Sequence, residues 1–478
     1  MIIGREKEQA ILTKLLKSKR SEFLAIYGRR RIGKTFLVHE FLKDKGVYLE
    51  ITGSNKAPKR EQLKTFFDEL CSKFSQFEKR KEPRGWSEAF KYVKEIAQGV
   101  DPSLKFILFI DELPWLSSPK SGFLSALDYL WNRHLSRTSN VFLVICGSSA
   151  HWIIKKVIND KGGLHGRLSA QMPLQAFNLF DTERFLAAQD VRLKRKQIVE
   201  VYMALGGVAK YLMGASAGKS PDQVINELCF SSSGLLFSEF SKLYGSLFES
   251  PEKHIAVVRA LAETCHGMTQ EELLKAAGIS KGGGATEVLQ ELEEAGFIMS
   301  VPAFGKKTRD CLFRLMDEYS FFYLTWIEEV RGGVLRSVDE EYWNKMSKTQ
   351  RWHSWAGHVF ENICLKHSSK IKQALGLGGV LTKEGHFRHS SKEEGAEVDL
   401  VIDRADNCIN LCEIKFCREE FEITKSYSAD LERKKRVFQQ VTGTKKTIFL
   451  TMITPFGVKE NDHYVGVVDQ QLTLDALF

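Results

Sequence analysis

Gly28-Arg29-Arg30-Arg31-Ile32-Gly33-Lys34-Thr35 is the stretch on which the reading of this chain turns. It follows the apolar run Phe23 to Tyr27 and leads into Phe36-Leu37-Val38, so it reads as a loop between a buried strand and a helix. Glycines let backbone N–H groups close around phosphate oxygens, and the helix after Gly33 aims its positive dipole end at them. Lys34 can reach β- and γ-phosphates, and the Thr35 hydroxyl can ligate Mg²⁺. The spacing predicts an ATP-binding cradle made of Gly28, Arg29, Arg30, Arg31, Ile32, Gly33, Lys34 and Thr35. An accidental glycine-rich turn is the competing reading, and the strand-loop-helix setting disfavours it.

Two further runs belong with this loop. Phe106-Ile107-Leu108-Phe109-Ile110 is long and apolar enough for a strand buried on both faces, and it ends in Asp111-Glu112. A carboxylate there can hold Mg²⁺ opposite Thr35, and a second can polarise the water that attacks the γ-phosphate. Asp111 is the expected metal residue and Glu112 the expected general base. Val141 to Cys146 is another such strand, followed by Gly147-Ser148-Ser149. Those hydroxyls could read the γ-phosphate, or one of them could cap a helix.

The 478 residues suit about three domains, and 43% hydrophobic with 27% charged residues lets each bury a core. Lys plus Arg exceed Asp plus Glu by 69 to 60, which allows nucleic acid as a partner and equally suits an ordinary solvated surface. Nine cysteines form no CxxC pair and no disulfide framework, as expected in a reducing cytosol. Cys408, Cys412 and Cys417 read as small buried hydrophobes rather than zinc ligands. The chain opens without a signal-peptide pattern, and no apolar run approaches the ~18 residues that span a bilayer. The expectation is a soluble cytoplasmic protein without a membrane partner.

Gly4-Arg5-Glu6, the arginine-rich loop, Phe109-Ile110-Asp111-Glu112, Cys146-Gly147-Ser148-Ser149 and Gly166-Arg167 together resemble the bacterial and archaeal P-loop ATPases of the AAA+/STAND side of that superfamily. Many of these carry a C-terminal nuclease-like domain. The resemblance implies an α/β fold of the P-loop ASCE/AAA+ type over residues 1–179, with a parallel sheet of order 5-1-4-3-2 and nucleotide at the carboxyl ends of the strands. It implies that Arg5 packs near the adenine and that Arg167 approaches the γ-phosphate as an arginine finger or sensor. Read on its own, Arg167 sits in a glycine-rich loop, where a surface salt bridge is the alternative. Leu205-Gly206-Gly207-Val208-Ala209 is similar to the family's Gly-Gly-x-Pro segment, with Ala209 where proline is usual.

Residues 180–249 are helix-rich and suit a lid over the nucleotide. Residues 250–329 give three short helical stretches and a strand pair, with a capping box at Thr269 and Glu272, an order that resembles a winged helix. DNA is the partner that such a module suggests. The third helix carries Glu287, Glu291, Glu293 and Glu294 and no Lys or Arg, so a packing or regulatory module touching DNA through its wing at Lys306, Lys307 and Arg309 is preferred to base reading. Lys281 just before that helix is the other favourable charge. The aromatic run Asp317 to Trp326 reads as core.

Residues 330–478 bring a second chemical set. Ala396 to Ile402 and Leu411 to Phe416 are alternating strands joined by a hairpin at Arg404-Ala405-Asp406-Asn407. Period two puts Glu413 and Lys415 on one face, with Asp399 on the neighbouring strand. That is a carboxylate pair for a hard divalent cation, with an ammonium able to orient water. These residues resemble the PD-(D/E)XK nuclease superfamily, with Val398 in place of the proline and a restriction-endonuclease-like α/β fold implied. The resemblance places Glu361 on the first helix as a further metal ligand. The helix near Ser428 to Val441, with Arg433, Lys434, Lys435 and Arg436, offers a basic face for phosphates, and Gln439 and Gln440 possible support for the site.

The resulting expectation is an ATPase whose nucleotide state controls a Mg²⁺-dependent DNA endonuclease domain, with Mn²⁺ an alternative ion there and the winged helix as coupling element. Lys34, Glu112 and Arg167 serve the first reaction, Lys415 the second, and Ser148 joins the nucleotide contacts. Thr35 and Asp111 would hold one metal, and Glu361, Asp399 and Glu413 the other. The rivals are a STAND-like nucleotide switch, with nucleotide-dependent homo-oligomers and an inactive nuclease fold, and an ATP-driven remodeller of nucleic acid.

Overall fold

The structure is a computed structural model and describes the chain apart from residues 161, 265, 307–309, 332–340 and 392–393. Lys307 and Arg309 of the expected wing therefore lie outside the described residues. The chain forms two compact units, Met1–Gln175 and Ala176–Phe478.

The first unit is built on five parallel strands, β1 (Glu22–Tyr27), β2 (Val47–Thr52), β3 (Phe106–Asp111), β4 (Val141–Gly147) and β5 (Ala170–Pro173). Their order is β2-β3-β4-β1-β5, the expected order read from the other edge. Every residue of β3 and β4 is buried, as it must be where helices cover both faces of a parallel sheet. Register pairs Tyr27 with Gly147 and Ile110 with Ile145, so β1, β3 and β4 end at one edge, where Gly28, Asp111 and Ser148 emerge together. The preceding helix Glu6–Leu16 buries Leu12 and Leu15, and the helix Trp86–Gly99 packs its Trp86 against Phe123 at 4.7 Å. The helix Lys34–Leu42 starts directly after Gly33, whose φ of 94° a side chain would strain.

The second unit opens with helices between Leu179 and Leu247. Three helices follow, Glu252–Ala262, Gln270–Ala276 and Gly283–Glu294, then the antiparallel hairpin β6 (Ile298–Pro302) and β7 (Cys311–Leu315). Thr269 and Glu272 form the reciprocal capping box. The acids of the third helix have internal partners: Glu291 meets His254 Nε2 at 2.6 Å, and Glu293 accepts from the Ser300 N–H and hydroxyl. Lys281, just before it, is tied to Glu271 at 3.0 Å. The aromatic run is core, with Phe322, Trp326, Trp343 and Trp355 meeting edge to face.

A mixed sheet closes this unit, in the order β12-β11-β10-β9-β8, from β8 (Thr382–His389), β9 (Ala396–Arg404), β10 (Cys408–Ile414), β11 (Thr447–Ile453) and β12 (Gln470–Leu472). β8, β9 and β10 are antiparallel, whereas β11 and β12 run parallel to β10. The turn between β9 and β10 puts Asn407 at φ 62°, a conformation asparagine tolerates. The helices Gln350–Lys366 and Lys425–Thr442 bury Phe360 and Phe438 among their apolar residues. Cys412 is buried in β10, Cys408 and Cys417 are half-buried, and all three are free thiols. Among the described residues no helix is long and apolar enough to cross a membrane.

His367 gives this unit a pH dependence. It is buried, its Nδ1–H donates to the Ile363 carbonyl at 2.7 Å, and its Nε2 accepts from the Leu179 N–H at 3.1 Å. A proton on Nε2 would face that N–H. Burial, seconded by Lys366 and Lys370 against the Ile363 carbonyl, pushes its pKa from 6.5 down to about 4. The unfolded chain therefore binds the proton first, and this contribution to stability is lost as pH falls from about 6.5 to about 4. Urea unfolding should weaken by up to about 3 kcal/mol across that window, and the His367→Gln variant should lack this component.

Candidate functional site

At the carboxyl edge of the parallel sheet the loop Gly28 to Lys34 wraps back on itself. A Cβ on Gly28 would run into the Leu174 carbonyl oxygen, and Gly28 itself has φ 147°, so only glycine lets the chain leave β1 here. Lys34 Nζ is buried and donates to the Gly28 and Arg29 carbonyls, each at 2.8 Å, and to Ser148 Oγ at 3.2 Å. Arg5 lies under the loop, its Nη2 donating to the Ile32 carbonyl at 3.3 Å. Arg30 stacks on the Trp115 ring at 5.0 Å.

The structure brings the ends of β3 and β4 to this loop. Thr35 Oγ1 donates to Asp111 Oδ2 at 2.7 Å, which pairs two hard oxygen donors at the helix start. Burial raises the Asp111 pKa, opposed by the Thr35 hydrogen bond. Glu112 sits at φ 48° and turns its carboxylate onto Ser148, accepting the hydroxyl at 2.5 Å and the N–H at 3.2 Å. Ser149, not Ser148, caps the next helix by accepting the Trp152 N–H. Ser148 thus links Lys34 to Glu112. Arg167 is exposed in a turn in which its N–H donates to the Leu164 carbonyl. The glycine cradle and the Thr35–Asp111 oxygen pair fit a triphosphate with its magnesium ion, a cation that favours oxygen ligands.

Asp399 on β9 lies within electrostatic range of Glu413 on β10 and of Glu361 on the helix Gln350–Lys366. Asp399 is half-buried and its Oδ2 accepts the Ile414 N–H at 2.8 Å. Burial, with Glu413 and Glu361 nearby, pushes its pKa up to about 8, against Lys415. Glu413 is 1% exposed, and Lys434 Nζ reaches both its oxygens at 2.8 and 2.7 Å, while Lys415 stands at 3.9 Å. Burial raises the Glu413 pKa and both lysines lower it. Glu361 Oε2 accepts from Arg314 Nη2 at 2.8 Å, and its Oε1 lies 3.7 Å from His358 Nδ1. Burial pushes the Glu361 pKa up, but His358 and Arg314 hold it below the usual value.

The expected basic face of the helix Lys425–Thr442 needs correction at Lys434. Lys434 turns inward to neutralise Glu413, Arg433 pairs with Asp430, and Arg436 reaches Glu394 at 2.8 Å. A carboxylate buried that deeply requires a cation, and the helix supplies it. The sequence reading also missed Arg314. No local signal marks it, since its partner lies 47 positions away.

Residues 2–214 match a family of sequences described as an ATPase domain predominantly from Archaea. The chain carries an archaeal-type ATPase domain. An uncharacterized protein of Methanocaldococcus jannaschii is 26% identical over 444 residues, spanning 91% of this chain and 92% of the relative. Among solved structures, the Walker-type ATPase of Pyrococcus abyssi is similar at 18% identity, covering 68% of this chain and 96% of that one, with a TM-score of 0.47. The ORC2 protein of Aeropyrum pernix is similar at 17% identity, covering 70% and 94%, with a TM-score of 0.42. The family match covers the glycine loop, Asp111, Glu112 and Ser148 and stops before the carboxylate cluster.

The Glu413–Lys434 pair lies in the unit's interior, so removing one partner strands a buried charge. Lys434→Met should destabilise the chain by about 3–5 kcal/mol, and the double change Glu413→Leu with Lys434→Met should recover most of that. Chemical denaturation of the three proteins measures both.

Proposed function

We propose that this ATPase domain binds and hydrolyses ATP at the loop Gly28 to Thr35 and that its nucleotide state governs a divalent-metal-dependent DNA-cleaving site in residues 330–478. In the first site Lys34 leaves the loop carbonyls for the phosphates, and backbone N–H groups of Arg29, Arg30, Arg31, Ile32 and Gly33 cradle them. Arg5 steadies the loop from below and is assigned to the adenine side. Thr35 and Asp111 would hold Mg²⁺, which when bound neutralises charge on the β- and γ-phosphate oxygens. Glu112 takes the proton from the attacking water once it leaves Ser148. Arg167 is assigned to the charge developing on the γ-phosphate.

The observation that carries the second half is the closeness of Asp399 to Glu413 and Glu361, with Lys415 beside Glu413, in a fold whose elements run two helices, three strands, a helix and two strands. Glu413 and Glu361 both disfavour a charge on Asp399, a repulsion that a divalent cation would relieve. The donors are all hard oxygens, as Mg²⁺ and Mn²⁺ prefer. Lys415 would orient the hydrolytic water. Residues 250–329 are read as a winged helix that couples the two activities.

A second reading has its own support. Lys434 and Arg314 already neutralise Glu413 and Glu361, as they would in a nuclease fold kept as a scaffold for a nucleotide switch. The two readings part on plasmid DNA with Mg²⁺ and ATP. Cleavage that falls about 10²-fold in Lys415→Ala supports the nuclease, and ATP turnover with intact plasmid supports the switch. In the ATP site, Lys34→Ala should lose nucleotide binding in an equilibrium titration. Glu112→Gln should keep binding while turnover drops about 10²- to 10³-fold.

A further inference from the structure

The partner of Glu361 comes from a different part of the unit. Arg314 lies on β7 of the hairpin and is 8% exposed, and Glu361 lies on the helix Gln350–Lys366. Their pairing is not the sole attachment of that hairpin. Asn362 Nδ2 donates to the Leu315 carbonyl at 2.9 Å, one residue along on each partner. Beyond β6, the Phe304 N–H donates to the His386 carbonyl at 2.9 Å, and its ring meets Phe438 at 4.9 Å. The hairpin is thus seated on the carboxylate-bearing fold by its tip and by its return strand.

With Arg314 on Oε2 and His358 beside Oε1, both oxygens of Glu361 face cationic or donor groups. A single carboxylate carries one negative charge, and a guanidinium and a divalent ion on it would repel at short range. Resting on the reading of Asp399, Glu413 and Glu361 as a metal site, we infer that Arg314 and a divalent cation compete for the Glu361 carboxylate. The hairpin that carries Arg314 therefore regulates loading of the site. Coupling is reciprocal: whatever draws Arg314 away raises metal affinity, and metal loading loosens the hairpin.

The test is calorimetric titration of Mn²⁺ into the metal-free full chain, in buffer without chelator or ATP, comparing wild type, Arg314→Gln and Arg314→Lys. Arg314→Gln, which keeps a donor without the charge, should bind about tenfold tighter, and Arg314→Lys should stay near wild type. Adding Asp399→Asn to Arg314→Gln should abolish the gain, which ties it to this site. Equal or weaker binding by Arg314→Gln, while wild type binds, overturns the competition and leaves the metal site standing. No Mn²⁺ uptake by any of them overturns the metal site and the competition with it. Should Arg314→Gln fail to fold, hydrogen exchange on wild type decides. Mn²⁺ should speed exchange of the amides of Cys311–Leu315, and unchanged protection with Mn²⁺ bound overturns the inference.

Discussion

A parallel strand covered on both faces has no place for a charge along its length, and this constraint orders the first unit. The apolar residues of β3 and β4 exclude water entirely, so polar chemistry is pushed to the carboxyl end of each strand. There Ser148 meets Lys34 and Asp111 meets Thr35 of the glycine loop, with Glu112 bonded to Ser148. The same exclusion of water keeps Asp111 reluctant to ionise, which favours any cation that reaches it.

The carboxylate-bearing sheet solves the opposite problem. Its central strand β10 carries Glu413 in the interior, and the cost is met by a lysine from a helix 21 positions on. Asp399 has a backbone N–H from Ile414 instead, and Glu361 has a guanidinium from the hairpin. Three acids are thus stabilised by three unlike groups, a neutral amide among them.

How far the sequence could be read depended on the range of the interactions. The loop Gly28 to Thr35, the run ending in Asp111 and the hairpin at Arg404 to Asn407 are local patterns whose geometry follows from neighbouring residues. They could be placed from the letters alone. The strand order came from a resemblance rather than from periodicity, because register between distant strands leaves no local mark. Lys434 looked like part of a surface stripe of like charges, and only the packing of its helix showed that it points inward. The two serines after β4 were ambiguous for a related reason: capping and site contacts call for the same hydroxyl, and backbone direction assigns them.

The seating of Phe304 also bears on solubility. β8 lies at the margin of the mixed sheet, where exposed N–H and C=O groups could template another molecule's strand. The Phe304 N–H and the parallel bridge between Ala303 and His386 cover part of that margin with the chain's own backbone. A segment that reaches the sheet to hold a side chain in place thereby also shields it from self-association.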